Sequence, residues 1–495
     1  MRFRERGWSV PPTPRRVSYI VGVVLVGSGF AMLPSAVVGF LYREWGPSRD
    51  LTVSAAITIV SGAAMLLWAG RPDALTPKQA FASVAVAWIT VVWFGALPLL
   101  LSGTIPGLTD AVFESAAGFT TTGATVISDL SSVANGILLW RATMQWLGGM
   151  GIIVLSIAVL PLIGAGGVQL ARAEAPGPEP DRLTPRFQGT ALRLWGVYVV
   201  FTIVAAILLT LGDMSLFEGV AHALTNVSTG GFSTTSQSIG AFNAYTQWIV
   251  IFFMFVAGMS FALHYRALSN PAEYATNSEF RLYAAIVIVA AALVLAGLAI
   301  GDVTDTTGVR DGIFTTLTLI TGTGYATTNF AAWGPRLLIL LLMFMFLGGM
   351  AGSTTGAMKT YRVGLLAKSS GADLRSITRP QAVNLTRFGG VVVPSSVLRN
   401  VSAFFVLYVG IFVGGTMLLS FLEAMFGNGI DVVTATSAAA SALGNVGPGL
   451  GEVGPTSTYA AIVAPGKWLL AFMMIVGRLE IFPILLLFMP AFWRR

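Results

Sequence analysis

GFTTTGAT (118–125) is a glycine- and threonine-rich stretch set in an apolar chain, and three further segments repeat its character: NVSTGGFS (226–233), ITGTGYAT (320–327) and LGNVGPGL (443–450). They align on Gly123, Gly231, Gly324 and Gly447, roughly a hundred residues apart, the mark of an internal repeat. Each closes a segment too short and too polar to span a bilayer, 109–128, 213–237, 309–330 or 429–452, that begins near Asp110, Asp213, Asp311 or Asp431. Aspartate favours a helix start by side-chain capping and by the helix dipole. Each segment therefore reads as a half-length re-entrant helix followed by an extended loop. Non-helical backbone at membrane depth survives only inside protein or beside a water-filled cavity. Four such segments imply one shared central cavity.

The surroundings fit that reading. The chain has 495 residues, of which 55% are hydrophobic and only 10% charged, and its mean hydropathy is +0.77. A soluble protein would carry roughly a quarter charged residues, so the fold class expected is an all-α polytopic membrane protein. A spanning helix needs about 20 mostly apolar residues. Ten transmembrane helices are expected, near 17–42, 51–70, 79–101, 136–163, 190–211, 246–268, 280–301, 335–358, 396–422 and 463–491. The first two form an N-terminal helix pair over 1–75. The rest form four pseudo-repeats of helix, re-entrant helix, loop and helix around one pore, over 76–170, 186–272, 276–368 and 390–495. The basic start MRFRERGWSVPPTPRR and the long apolar run from Val17 read as an uncleaved first helix. Lys and Arg concentrate in the loops on the side of the N-terminus, which places both termini in the cytoplasm and opens all four glycine loops outward. The net charge of +7 is then a positive-inside bias rather than a sign of nucleic acid, and no nucleic-acid partner is expected. With no cysteine and only His222 and His264, thiolate metal sites are excluded and imidazole-rich sites disfavoured.

A cation crossing a bilayer loses its water, and something must replace those oxygens. Backbone carbonyls of an extended loop do so without adding net charge. Glycine supplies the unusual φ/ψ that turns them toward one axis. Helix C-termini aimed at the cavity add a fractional negative charge.

On these residues the chain resembles the TrkH/KtrB/HKT superfamily of potassium transport proteins, built like four potassium-channel subunits fused in one chain. The likeness covers nearly the whole length. It is closest to the TrkH branch in QWLGGMGIIVLSIAVLP (145–161), STGGFSTT (228–235), GTGYAT (322–327), GNVGPGLG (444–451) and the extra N-terminal helix pair. The resemblance implies a potassium filter made by Thr121, Thr122 and Gly123; Thr229, Gly230 and Gly231; Gly322, Thr323 and Gly324; and Asn445, Val446 and Gly447. Glycine rather than serine at 123 then favours potassium over sodium; Pro448 departs from a simple channel filter. It also implies an intramembrane gate in LGGMAGSTTGAMKTYR (347–362), assigned to Gly348, Gly349, Gly352, Ser353, Thr354, Thr355 and Gly356, with Lys359 at its cytoplasmic end. Arg478 in VGRLEIFPIL is implied as a barrier and loop anchor in the pore. Potassium is then substrate, with no organic cofactor. The partners implied are a second copy in a homodimer, a TrkA-like cytosolic nucleotide-binding regulatory subunit, and the lipid bilayer of a prokaryotic cytoplasmic membrane.

Plainer readings stand beside these. Gly348, Gly352 and Gly356 also have the spacing of a helix-packing face. Arg478 also has a plainer reading as a structural pair with Glu480, although positions two apart sit on different helix faces. Both histidines read as structural. Asp110, Glu114 and Glu218 could gather cations or serve caps and hydrogen bonds. The basic run from Lys359 to Arg399 reads as positive-inside bias or as a dock for a cytosolic subunit or anionic lipid. A coupled transporter would want intramembrane carboxylates, of which Glu480 is the candidate; an enzyme would want a nucleophile–base pair or metal cluster, and none is legible.

Overall fold

A computed structural model describes residues 14–70, 77–158, 185–301, 305–379, 385–427 and 429–493. The basic residues before Pro14 and the stretch closing the first expected repeat lie outside those residues. Apart from one two-stranded turn pairing Arg387–Phe388 with Val391–Val392, the regular elements described are helices.

Six helices are long and apolar enough to cross a bilayer: Pro14–Leu41, Trp45–Ala69, Lys78–Leu101, Gly189–Thr210, Ser278–Ile300 and Ser395–Phe426. The first two pack as a hairpin. Their contact is built on small residues, among them Gly22, Gly29 and Gly39 on the first and Ser48, Ala55 and Gly62 on the second. A β-carbon at Gly22 would sit 2.8 Å from the Gly62 carbonyl, and one at Gly62 equally close to that of Gly22. Such approach substitutes for a hydrophobic driving force that lipid cannot supply. The long helix Ser395–Phe426 shows the opposite surface, with Val406, Met417, Phe421 and Met425 exposed and suited to lipid.

Several expected spans are broken, each for a local reason. The expected 246–268 helix bends by 97° between Ala244–Ala257 and Phe261–Ala267. There the Gly258 carbonyl accepts from the Met350 amide at 2.8 Å, and the Phe261 amide donates to the Gly352 carbonyl at 3.1 Å. The expected 335–358 helix stops at Phe344 and chain resumes as helix only at Thr360. The expected 463–491 helix ends at Arg478 and restarts at Phe482. Between them Ile481 adopts φ 67, ψ −57, and the Phe482 amide donates to the Glu480 carbonyl at 2.7 Å. This is a γ-turn of the rare positive-φ kind, followed at once by Pro483 near the start of the new helix.

Four short helices stand among these: Leu108–Phe119, Leu216–Val227, Thr306–Ile320 and Val432–Gly444. At 12 to 15 residues they are about 18–22 Å long, well short of a hydrocarbon core of about 30 Å. Two large apolar cores support them. One joins the N-terminal hairpin to the first and last quarters of the chain. The other is built mainly from the middle half.

Candidate functional site

The four half-helices end in the same way. In each, the residue two before the aligned glycine is left-handed: Thr121 φ 53, Thr229 φ 53, Gly322 φ 65 and Asn445 φ 54. Its amide donates three residues back, from Thr121 to Gly118 and from Thr229 to Asn226 at 2.9 Å, from Gly322 to Leu319 at 3.2 Å and from Asn445 to Ala442 at 3.4 Å. The next amide reaches five residues back, from Thr122 to Ala117 at 2.8 Å, Gly230 to Thr225 at 2.7 Å, Thr323 to Thr318 at 2.9 Å and Val446 to Ser441 at 2.9 Å. This is the Schellman pattern, which stops a helix and leaves the following backbone extended. Gly322 takes the left-handed position without steric cost, and asparagine, as at 445, tolerates it. Thr121 and Thr229 hold a β-branched side chain there at about 1–2 kcal/mol each.

The starts are less uniform than expected. Asp431 caps the fourth half-helix through the Thr434 amide, and Asp110 lies in the first turn of the first. Asp213 and Asp311 do not cap their half-helices. The second half-helix begins with a capping box of Ser215 and Glu218, and the third is capped by Asp305. Asp213 instead accepts from the Asn243 amide and the Thr246 hydroxyl at 2.7 and 2.6 Å, and Asp311 from the Thr327 hydroxyl at 2.7 Å.

The loops meet in a ring. The aligned glycines have φ 79, 79, 81 and 109. A β-carbon on Gly123 would overlap the Gly230 carbonyl oxygen, one on Gly231 the Thr323 oxygen, and one on Gly324 the Val446 oxygen. One on Gly447 would lie 2.6 Å from the Thr122 oxygen, which returns to the first loop. Thr122, Gly230, Thr323 and Val446 are equivalent positions, so four carbonyls stand at one level of a closed ring. One level toward the half-helices, Gly322 faces the Asn445 carbonyl at 2.9 Å from its would-be β-carbon. Thr121 Oγ1 and Asn445 Oδ1 at that level are buried and have no protein partner. Each half-helix brings its C-terminal end, worth roughly half a negative charge, to this region.

A belt of side chains braces the ring from behind. Glu114 and Arg141 form a fully buried ion pair at 2.7 Å. Glu114 also accepts from the Val126 amide at 2.9 Å and the Thr125 hydroxyl at 2.9 Å, while Arg141 lies 4.0 Å over the Phe232 ring. Glu114 is thus committed to bracing. His222, which precedes Gly231 by the same nine residues that separate Glu114 from Gly123, joins the Glu218 carbonyl and the Ser233 hydroxyl at 2.8 and 3.0 Å. Tyr325 bonds the Thr225 hydroxyl. Gln145 donates to the Gly230 carbonyl at 2.6 Å and accepts from the Phe232 amide at 3.0 Å. Asn445 Nδ2 donates to Thr122 Oγ1 at 3.0 Å and to the Met474 carbonyl at 2.9 Å. Arg141, Gln145 and the Asn445 side-chain contacts were not legible in the sequence: each depends on a partner distant in the chain.

The irregular segment between Phe344 and Thr360 packs directly against the half-helix ends. Thr354 donates to the Val227 carbonyl at 3.2 Å and accepts from Thr229 Oγ1 at 3.3 Å. Gly356 abuts the Gly444 carbonyl, and its would-be β-carbon lies 3.0 Å from Asn445 Oδ1. Gly348 abuts the Gly356 carbonyl, and Gly349 the Gly258 carbonyl. Gly352 has φ 76. Ser353 and Thr355 share a hydroxyl bond at 2.8 Å, and the Gly349 amide donates to Thr355 Oγ1 at 3.0 Å. Extended pairing of Leu347 with Met358 replaces the helix-packing face that the Gly348, Gly352 and Gly356 spacing also allows. Lys359, the residue before the helix that starts at Thr360, is buried, with its amine on the Thr355 carbonyl at 2.5 Å.

Arg478 is buried too. Its Nη1 donates to the Thr354 carbonyl at 2.7 Å and its Nη2 to the Gly148 carbonyl at 3.0 Å. Glu480 pairs not with Arg478 but with Arg362, which also lies 4.0 Å over Phe404. His264, on the short arm of the bent pair, meets the Tyr274 hydroxyl at 2.8 Å and the Val256 carbonyl at 3.0 Å. Among the described residues no group of three or more His, Cys, Asp or Glu is placed to hold a metal ion.

The family model described as "TrkH: Cation transport protein" matches residues 51–495. The chain is 37% identical over 492 residues to the "Trk system potassium uptake protein TrkH" of Salmonella typhimurium, covering 97% of this chain and 99% of the relative. Against the protein of that name from Escherichia coli K12 the identity is 36% over 490 residues, with the same coverage. A crystal structure of "the Potassium Transporter TrkH from Vibrio parahaemolyticus" superposes with a TM-score of 0.88 at 34% identity, covering 97% of this chain and 99% of that one.

Proposed function

We propose that this chain, which belongs to the TrkH family of cation transport proteins, carries potassium into the cell through the ring of its four loops. The observation that carries the reading is the closure of that ring: each aligned glycine faces the carbonyl before the aligned glycine of the next loop, and the fourth returns to the first. A dehydrated cation on the ring axis exchanges water oxygens for the carbonyls of Thr122, Gly230, Thr323 and Val446. The second level draws on Thr121, Thr229, Gly322 and Asn445, whose unpartnered Thr121 Oγ1 and Asn445 Oδ1 are oxygens free to face an ion or its water. Gly123, Gly231, Gly324 and Gly447 are required because no β-carbon fits between adjacent loops. The names of the relatives support potassium as the ion.

In this account the segment from Gly348 to Gly356, with Ser353, Thr354 and Thr355 at its tip, is the gate. It is seated against the second and fourth half-helix ends and held by Arg478. The guanidinium both anchors the loop and opposes a cation below the ring. The inside-negative potential supplies about 2.3 kcal/mol per charge per 100 mV, enough to drive inward flow without a coupled ion. The ten-span, four-repeat layout, cytoplasmic termini, homodimer and TrkA-like partner in a prokaryotic cytoplasmic membrane complete the reading and rest on the family resemblance.

The test is growth. A bacterial strain deprived of its own potassium uptake and given this chain with its regulatory subunit should grow on limiting potassium. Failure to grow, with the protein present in the membrane, would overturn the reading.

A further inference from the structure

We infer that Gln145 is a specificity-determining residue of the ring, because its amide competes with the ion for one of the four equivalent carbonyl oxygens. The inference rests on the proposed conduction through the ring. Gln145 is fully buried on the helix Asn135–Ala158. Its Nε2 donates to the Gly230 oxygen at 2.6 Å, and its Oε1 accepts from the Phe232 amide at 3.0 Å. The side chain thus clips the second loop on both sides of Gly231. Among the described residues no side chain donates to the Thr122, Thr323 or Val446 oxygens. The level is therefore chemically three plus one: three oxygens have both lone pairs free, and one already has a donor.

That asymmetry has a direction. A carbonyl that accepts an N–H offers a weaker field to a second positive partner. In the field-strength account of filters, weaker oxygens favour the larger, more easily dehydrated ion. The Gln145 amide cannot readily give up its bond, because a buried donor without an acceptor is costly. It therefore lowers the field of the level permanently, in favour of potassium over sodium. The same helix also presents Arg141 to Glu114 and the Gly148 carbonyl to Arg478, at positions four before and three after Gln145. One rigid face thus sets the second loop relative to both the ring's brace and the gate.

The test separates ion choice from scaffolding. Rubidium uptake into liposomes holding the full chain with its regulatory subunit is measured with potassium or sodium as competitor. Gln145→Leu removes the donor and the acceptor; Gln145→Glu keeps an acceptor for the Phe232 amide but, ionised, has no donor for Gly230. Both variants should lower the potassium-over-sodium preference by about fivefold, the equilibrium weight of one ordinary hydrogen bond. A purely structural brace would instead lower uptake with the preference intact, and that result in either variant overturns the inference. Two variants that both fail to fold would assign Gln145 to the scaffold and overturn it as well. No rubidium uptake by the wild-type chain with its subunit would refute the conduction reading itself, a distinguishable failure that takes this inference with it.

Discussion

Replacing Arg478 by alanine tests the gate most sharply. The guanidinium ties two parts of the protein together through the Thr354 carbonyl at 2.7 Å and the Gly148 carbonyl at 3.0 Å, with both bonds buried. Only the first holds the loop. A hydrogen bond from a charged donor is worth about 1.5–3 kcal/mol, and each 1.4 kcal/mol is about a factor of ten in an equilibrium. Losing it should raise the unseated population of the loop by about 10- to 150-fold. Other ties stay: the Thr354 hydroxyl on Val227, the Lys359 amine on Thr355 and the Met350 amide on Gly258. The loop should loosen without unfolding. The assay is rubidium leak through reconstituted protein without its regulatory subunit, at matched protein per vesicle. Arg478→Ala should leak at least about tenfold faster than wild type, and Arg478→Lys should fall between. Wild-type leak from folded Arg478→Ala would refute the anchoring argument.

Other substitutions probe the ring and its supports. Gly324→Ala forces a left-handed alanine, at about 1–2 kcal/mol, and drives its β-carbon into the Val446 oxygen; the melting temperature should fall and the potassium-over-sodium preference in competition assays should collapse. Glu114→Gln leaves the buried Arg141 without its carboxylate, a change of about 3–5 kcal/mol, read as a lower melting temperature that Glu114→Gln with Arg141→Leu partly restores. Glu480→Gln uncouples Arg362 from the turn after Arg478; amide exchange across 347–359 should quicken while that of the half-helices stays slow.

The half-helices and loops were legible because their composition changes abruptly from apolar to glycine, threonine and serine, and a glycine at a fixed place in each loop reports a backbone demand. The interruption at 347–362 was legible for the same reason, and its irregular backbone runs between Phe344 and Thr360. The caps were half legible. Asp431 caps, but Ser215 with Glu218 was a stronger signal than Asp213, a serine followed three residues later by glutamate. The bend after Ala257 was hidden, since Gly258 and Ser260 look tolerable in an apolar helix until the loop's amides arrive to share their backbone. The last span reads as continuous over 463–491 although Pro483 lies near the start of the helix that resumes there, and nothing local showed that Glu480 would turn to Arg362. Gln145 and Arg141 were invisible as functional candidates because a polar residue in a long apolar run has no stated partner until the fold brings one from another element: the second loop for Gln145 and the first half-helix for Arg141.

The central claim, that the four loops form a potassium path, is tested most directly by radiolabelled rubidium uptake into liposomes holding the purified chain with its regulatory subunit, under an inside-negative potential. The account predicts uptake that potassium blocks far better than sodium does. Equal block by the two ions, or no uptake with the subunit and its nucleotide present, would contradict it.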